Sequence, residues 1–77
     1  MKIVNDRYVL TREVNGETQY LTPDYGFFND IRDALMIPHI IQAQTIRTYL
    51  KERYQMDLTI VRLRITYEWG TPEILKV

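Results

Sequence analysis

Nine consecutive residues, Val61-Arg62-Leu63-Arg64-Ile65-Thr66-Tyr67-Glu68-Trp69, alternate apolar and polar without interruption. Side chains of a strand point to opposite faces of a sheet in turn. This run therefore predicts a half-buried strand, with Val61, Leu63, Ile65, Tyr67 and Trp69 on a covered face. Arg62, Arg64, Thr66 and Glu68 take the wet face. A strand of this kind needs a partner strand beside it and a layer over it.

Just upstream, Leu58 and Ile60 are apolar at even positions, so the phase slips by one between Ile60 and Val61. A β-bulge there would return both halves to one face. The alternative is that Leu58 and Ile60 sit beneath the end of a helix.

The partner strands lie at the start of the chain. Tyr8-Val9-Leu10-Thr11 and Thr18, Tyr20, Leu21 carry strand-forming residues around Asn15-Gly16. That dipeptide best supplies the two positive φ angles of a type I′ hairpin turn. The turn pairs Val14 with Glu17, Thr11 with Tyr20 and Leu10 with Leu21. One face then carries Tyr8, Leu10, Val14 and Leu21, and the other Val9, Thr11 and Tyr20. The leucine face is the expected core.

Between hairpin and last strand the period changes. Thr22-Pro23-Asp24 predicts a turn or a short 3₁₀ piece, which Gly26 cuts off. Asn29 is placed to cap a short helix over Asp30–Leu35, with Asp30 and Asp33 complementing its dipole. The chain extends around Met36-Ile37, because the residue before a proline avoids helical angles. From Pro38 to Tyr54 a longer helix follows, with Ile40, Ala43, Ile46, Leu50 and Tyr54 on one apolar stripe that Ile41 and Tyr49 widen.

After Trp69, Gly70-Thr71-Pro72 predicts the end of the strand. Residues 70–77 then form a tail, flexible or docked through Ile74, Leu75 and Val77. The expected fold is a single α+β domain of order β-β-α-α-β. It has a three-stranded antiparallel sheet in the order 2-1-3, with the short and long helices packed on one face. Its expected core is Tyr8, Leu10, Leu21, Ile31, Ala34, Ile40, Ala43, Ile46, Leu50, Val61, Leu63 and Ile65.

Composition removes several functions. Ten basic and ten acidic residues leave no net charge, so no bulk field recruits a polyanion. There is no cysteine, hence neither a disulfide framework nor a thiolate metal site. The amino-terminal residues carry no signal peptide pattern, and no run approaches the roughly 20 apolar residues of a membrane span. A soluble cytoplasmic protein without membrane contact is expected.

Catalytic parts are scarce. Serine is absent, and the three glycines, Gly16, Gly26 and Gly70, are too scattered for a phosphate loop. His39 is the single histidine and reads as a surface residue rather than as a metal ligand with Asp33. Asp30 and Asp33 share a helix face, but a thin two-layer domain offers no cleft in which paired carboxylates would be tuned. The expectation is a protein that is not an enzyme and has no cofactor.

With helices on one face only, the second sheet face would be open. Val9, Thr11, Tyr20, Arg62 and Arg64 are its predicted residues and form the candidate binding patch. Arginine and aromatic residues are enriched where proteins grip proteins. The same residues could stack single-stranded nucleic acid, the second reading. A third reading is a structural subunit that forms a homodimer through an edge strand or the tail.

The segments Tyr8-Val9-Leu10-Thr11, Asn15-Gly16, Tyr20-Leu21-Thr22, Asp30-Ile31-x-x-Ala34, Ala43 and Ile65-Thr66-Tyr67-Glu68 resemble small phage and prophage proteins of Gram-positive bacteria. The resemblance spans roughly Tyr8 to Glu68 and implies a small accessory protein that binds a host or phage protein, in some cases one that inhibits host defence. No functional residues transfer with it.

Overall fold

The computed structural model describes residues 2–68 and 71–77 of the chain. Among these the elements are β1 (Lys2–Val14), β2 (Glu17–Leu21), β3 (Phe27–Phe28), α1 (Ile40–Tyr54), β4 (Thr59–Glu68) and β5 (Thr71–Lys76). A 3₁₀ turn covers Ile31–Asp33. The strands form one antiparallel sheet in the order β3-β2-β1-β4-β5.

The Asn15-Gly16 turn forms as its chemistry requires, with φ of 53° and 80° at the two central residues. Val14 pairs with Glu17 and Thr11 with Tyr20. β4 lies antiparallel on the other side of β1, so the predicted 2-1-3 arrangement is the centre of the sheet. The expected three-stranded sheet is nonetheless wrong as a fold. Two further strands extend it to five, and one helix is present instead of two.

β5 is the first addition. Thr71–Lys76, expected as a tail, pairs with Glu68–Leu63. Pro72 does not stop it because β5 lies at the sheet edge, where a missing N–H is tolerated. Trp69, expected to close the covered face of the strand, lies outside the described residues, as does Gly70.

The short helix gives way to the sheet. Asp30, not Asn29, is the cap, and its Oδ1 accepts the Arg32 N–H at 2.9 Å. The turn ends at Ala34, which is already extended. Leu35 N–H donates to the Leu21 carbonyl at 2.8 Å, and Ile37 and Tyr8 exchange both their backbone bonds at 2.8 and 2.9 Å. Residues 34–37 thus run in the plane of the sheet, beside the part of β1 that β2 does not reach. Sheet partners satisfy these amides more cheaply than a second helical turn, which would abandon Tyr8 and Leu21.

α1 begins two residues later than Pro38, after His39 in an extended conformation with no side-chain cap. It ends at Gln55, left-handed at φ 60°, whose N–H donates to the Lys51 carbonyl at 2.9 Å. Ala43 and Leu50 are buried and Ile46 is half-buried against the sheet, but Ile40 stays largely exposed.

No bulge interrupts β4. Thr59 to Glu68 pairs with Thr11 to Lys2 residue for residue. The phase slip is instead a change of face. Leu58 and Ile60 lie with Leu10, Leu21 and Ile37 beneath α1, against its Ala43 and Leu50. Val61 and Leu63 lie with Val9, Tyr20 and Ala34 on the far face, edged by Ile31, Met36 and Ile74. Both faces of the sheet centre are therefore buried, and the expectation of helices packed over one face with the other bare is corrected. Leu10, Leu21, Leu63 and Val9 are fully enclosed, and each such side chain contributes about 2 kcal/mol by its removal from water.

Candidate functional site

The five residues of the predicted patch do not share a surface. Val9, Thr11 and Tyr20 are 0%, 5% and 6% exposed. They lie on the far face, where Ala34, Ile31 and Met36 close over them. Thr11 turns its hydroxyl inward and donates to the Thr59 carbonyl at 3.4 Å. Arg62 and Arg64 are exposed but sit opposite Tyr8 and Asp6, on the α1 side. Directly opposed residues share a face, so the arginines and the tyrosine ring of Tyr20 are separated by the thickness of the sheet. Arg64 Nε faces Asp6 Oδ1 at 3.5 Å. The inference of one open face fails because residues 31–36 cover it.

What the structure exposes is an arm. Beyond Tyr8, β1 runs on from Arg7 back to Lys2, paired with Leu63–Glu68 of β4, and β5 flanks this stretch. α1 packs over one face of the other half of the sheet, and the side chains of Ile31, Ala34 and Met36 pack with the cluster on the far face. The molecule is accordingly elongated, 43 × 27 × 22 Å. On the arm Ile3 is 51% exposed, Val4 49%, Tyr67 39% and Leu75 60%. Ile3 and Tyr67 are cross-strand partners on the far face. Val4 and Leu75 flank Thr66 and Arg64 on the α1 side.

Sequence reasoning missed this arm, yet a signal for it was present. Thirteen residues precede the hairpin turn in β1, whereas five follow it in β2. The unmatched first half of β1 has to pair elsewhere or stand alone, and the adjacent Ile3-Val4 puts an apolar group on each face.

The helix adds a second apolar exposure. Ile41 and Tyr49 stand on its outer side with Thr45 and Thr48, and Tyr54 follows at its end, its ring edge-on to that of Tyr49 at 6.4 Å. An open groove lined by Leu35, Met36, Pro38, Ile41 and Ile46 runs between the helix start and residues 35–38.

The ionisable groups serve turns. The Arg32 side chain, with help from its own N–H, pulls the Asp30 carboxyl down to about 2. The Thr22 hydroxyl and Gly26 N–H lower Asp24 in the loop after β2. Both carboxylates are on the surface. His39 is exposed at the start of α1, and among the described residues no three of His, Asp and Glu gather where a metal ion could bind. No described helix is long and apolar enough to cross a membrane.

No protein-family model matches the chain, and no curated protein or solved structure does either.

Proposed function

We propose that this protein acts by binding another protein, not by catalysis, and that the β-arm is its grip. The observation that carries the reading is the sheet outrunning its cover. Ile3, Val4, Tyr67 and Leu75 are held rigidly by paired strands yet left in water. Ile3 and Tyr67 stand on one face of the arm and Val4 and Leu75 on the other, and exposed apolar side chains on a rigid element are characteristic of surfaces that meet a partner. Tyr67 supplies the kind of amphipathic ring that anchors such contacts. The polar groups on the same arm, Asp6, Arg64 and Glu73, would fix orientation more than strength.

The resemblance to small phage proteins of Gram-positive bacteria supports the same reading and suggests a host or phage protein as the target. The balanced charge supports it too, since a protein partner needs no long-range field.

Affinity capture from a Gram-positive lysate tests the proposal, using the native chain beside the doubly substituted Ile3→Lys, Tyr67→Lys chain. A specific protein retained by the first and lost from the second is the expected result. Retention of oligonucleotides, weakening steeply as salt rises and with no protein held, would overturn it.

A further inference from the structure

We infer that the outer edge of β5 pairs with the same edge of a second copy of this chain, antiparallel, with the two Leu75 residues facing each other. The inference concerns the edge of the sheet and does not rest on the binding role assigned to the arm.

The backbone pattern comes first. Val77 N–H donates to the Arg62 carbonyl at 2.9 Å, so Val77 and Arg62 are a hydrogen-bonded pair of the β4–β5 ladder. Bonded and non-bonded pairs alternate in antiparallel strands. Leu75–Arg64 and Glu73–Thr66 are therefore bonded, whereas Lys76–Leu63, Ile74–Ile65 and Pro72–Tyr67 are not. The N–H and C=O groups of Ile74 and Lys76 consequently point away from β4. β5 is the terminal strand, so among the described residues no strand of the same chain answers them. The missing N–H of Pro72 also falls on this outer side, which is why the proline leaves the β4–β5 ladder intact.

That proline selects the register. If Ile74 faced its own copy, Pro72 would lie opposite Lys76 and leave the Lys76 carbonyl without a donor. With Leu75 facing its own copy, the bonded pairs are Ile74 with Lys76 and Lys76 with Ile74, and each exchanges both bonds. Pro72 then lies beyond the paired stretch. The opposite edge of the sheet, β3, has only Phe27–Phe28 to offer.

The side chains agree with this register. Leu75, 60% exposed in one copy, is buried against itself at a non-bonded position, where side chains approach most closely. Glu73 lies opposite Val77 of the second copy. Val77 in turn is the cross-strand neighbour of Arg62, which is exposed on the same face. The register therefore brings each Glu73 to an arginine that has no carboxylate within ion-pair distance among the described residues, a charge match repeated by symmetry. The paired stretch is short, so the dimer forms at high concentration and dissociates on dilution.

Light scattering across a concentration series tests this. The native chain is expected to rise to twice its single-chain mass, while Lys76→Pro, which removes an outward N–H along with the side chain that reaches Tyr20, stays single. A charge exchange covers the case in which the proline variant does not fold: Arg62→Glu weakens association, and Arg62→Glu with Glu73→Arg restores it. Because the chain has no cysteine, single cysteines read the register. Leu75→Cys should form a disulfide-linked dimer under mild oxidation, since directly opposed residues meet the required spacing, and Glu73→Cys should not. A native chain that stays single at every concentration would overturn the inference. So would equal cross-linking of both cysteine variants.

Discussion

Lys76 Nζ lies 5.3 Å from the centroid of the Tyr20 ring, although β5 and β2, which carry them, are separated by β1 and β4. The two side chains reach toward each other across the far face, above Val9 and Leu63, which are fully buried there. Among the described residues no helix covers that face. A lysine stem and a tyrosine ring do part of a helix's work, since the methylenes can lie along apolar surface while the ammonium stays wet. Their contact is worth about 0.5–1 kcal/mol as a cation–π pair.

Truncating either end of this bridge should uncover the far face. Tyr20→Ala is expected to cost about 3 kcal/mol, as for other buried aromatics. Lys76→Ala should cost about 1 kcal/mol, and Lys76→Met appreciably less because the stem remains. Urea unfolding monitored by fluorescence measures all three. Equal losses for the alanine and methionine variants at position 76 would show that charge, not cover, is what matters.

Some of this fold was legible beforehand and some was not, for physical reasons. Asn15-Gly16 and the 3.6-residue stripe through Ala43, Ile46 and Leu50 are local signals, and both elements stand where their chemistry puts them. The alternation from Val61 showed that one face of β4 is buried without showing which. Leu58 and Ile60 held that answer, because their parity places them under α1. The cover supplied by residues 31–36 was hidden because its cause is non-local: the carbonyls of Leu21 and Tyr8 draw Leu35 and Ile37 into the sheet. β5 was hidden by Pro72, which breaks a central strand but not an edge. The predicted patch failed with the cover, since Val9 and Tyr20 are surface residues only if nothing lies over them.

Gln55 offers a gain. It holds φ 60° and ψ 33° at the end of α1, a conformation that costs a residue with a Cβ about 1 kcal/mol and glycine almost nothing. Gln55→Gly should raise the midpoint of unfolding by roughly 0.5–1 kcal/mol equivalent, the added freedom of the unfolded chain offsetting part of the relief. Gln55→Val should lower it, because a β-branched side chain tolerates this region worst. Thermal melts of the two variants should move in opposite directions.

Asp30 gives an acid-side signature. Its carboxyl is pulled from 3.8 to about 2, chiefly by the Arg32 side chain. A carboxyl whose folded value is depressed contributes stability that is complete above its unfolded value. That contribution is lost as pH falls from about 4 through about 2. Proton titration followed by NMR should show the Asp30 carboxyl with a midpoint near the lower value. In Arg32→Ala the midpoint should move back toward 3.8, since only the backbone N–H at position 32 remains as donor. An unchanged midpoint in that variant would assign the shift to the turn alone.

The two-sided core makes a prediction about additivity. Leu50 projects from α1 onto the sheet and Leu63 lies on the far face, with the sheet between them. Leu50→Ala and Leu63→Ala should each cost about 3 kcal/mol, and the double variant should lose their sum to within about 0.5 kcal/mol, because the two cavities share no lining. Val9→Ala and Leu63→Ala lie within one cluster. Removing both lets Tyr20, Ala34 and Met36 settle into a single enlarged space, so their combined loss should depart from the sum by more than about 0.5 kcal/mol. Urea denaturation of the three single and two double variants against the native chain decides the matter. Strong coupling between Leu50 and Leu63 would mean that the far-face cluster and the helix-side cluster are one core, and that residues 31–36 rest on the sheet without sealing a separate one.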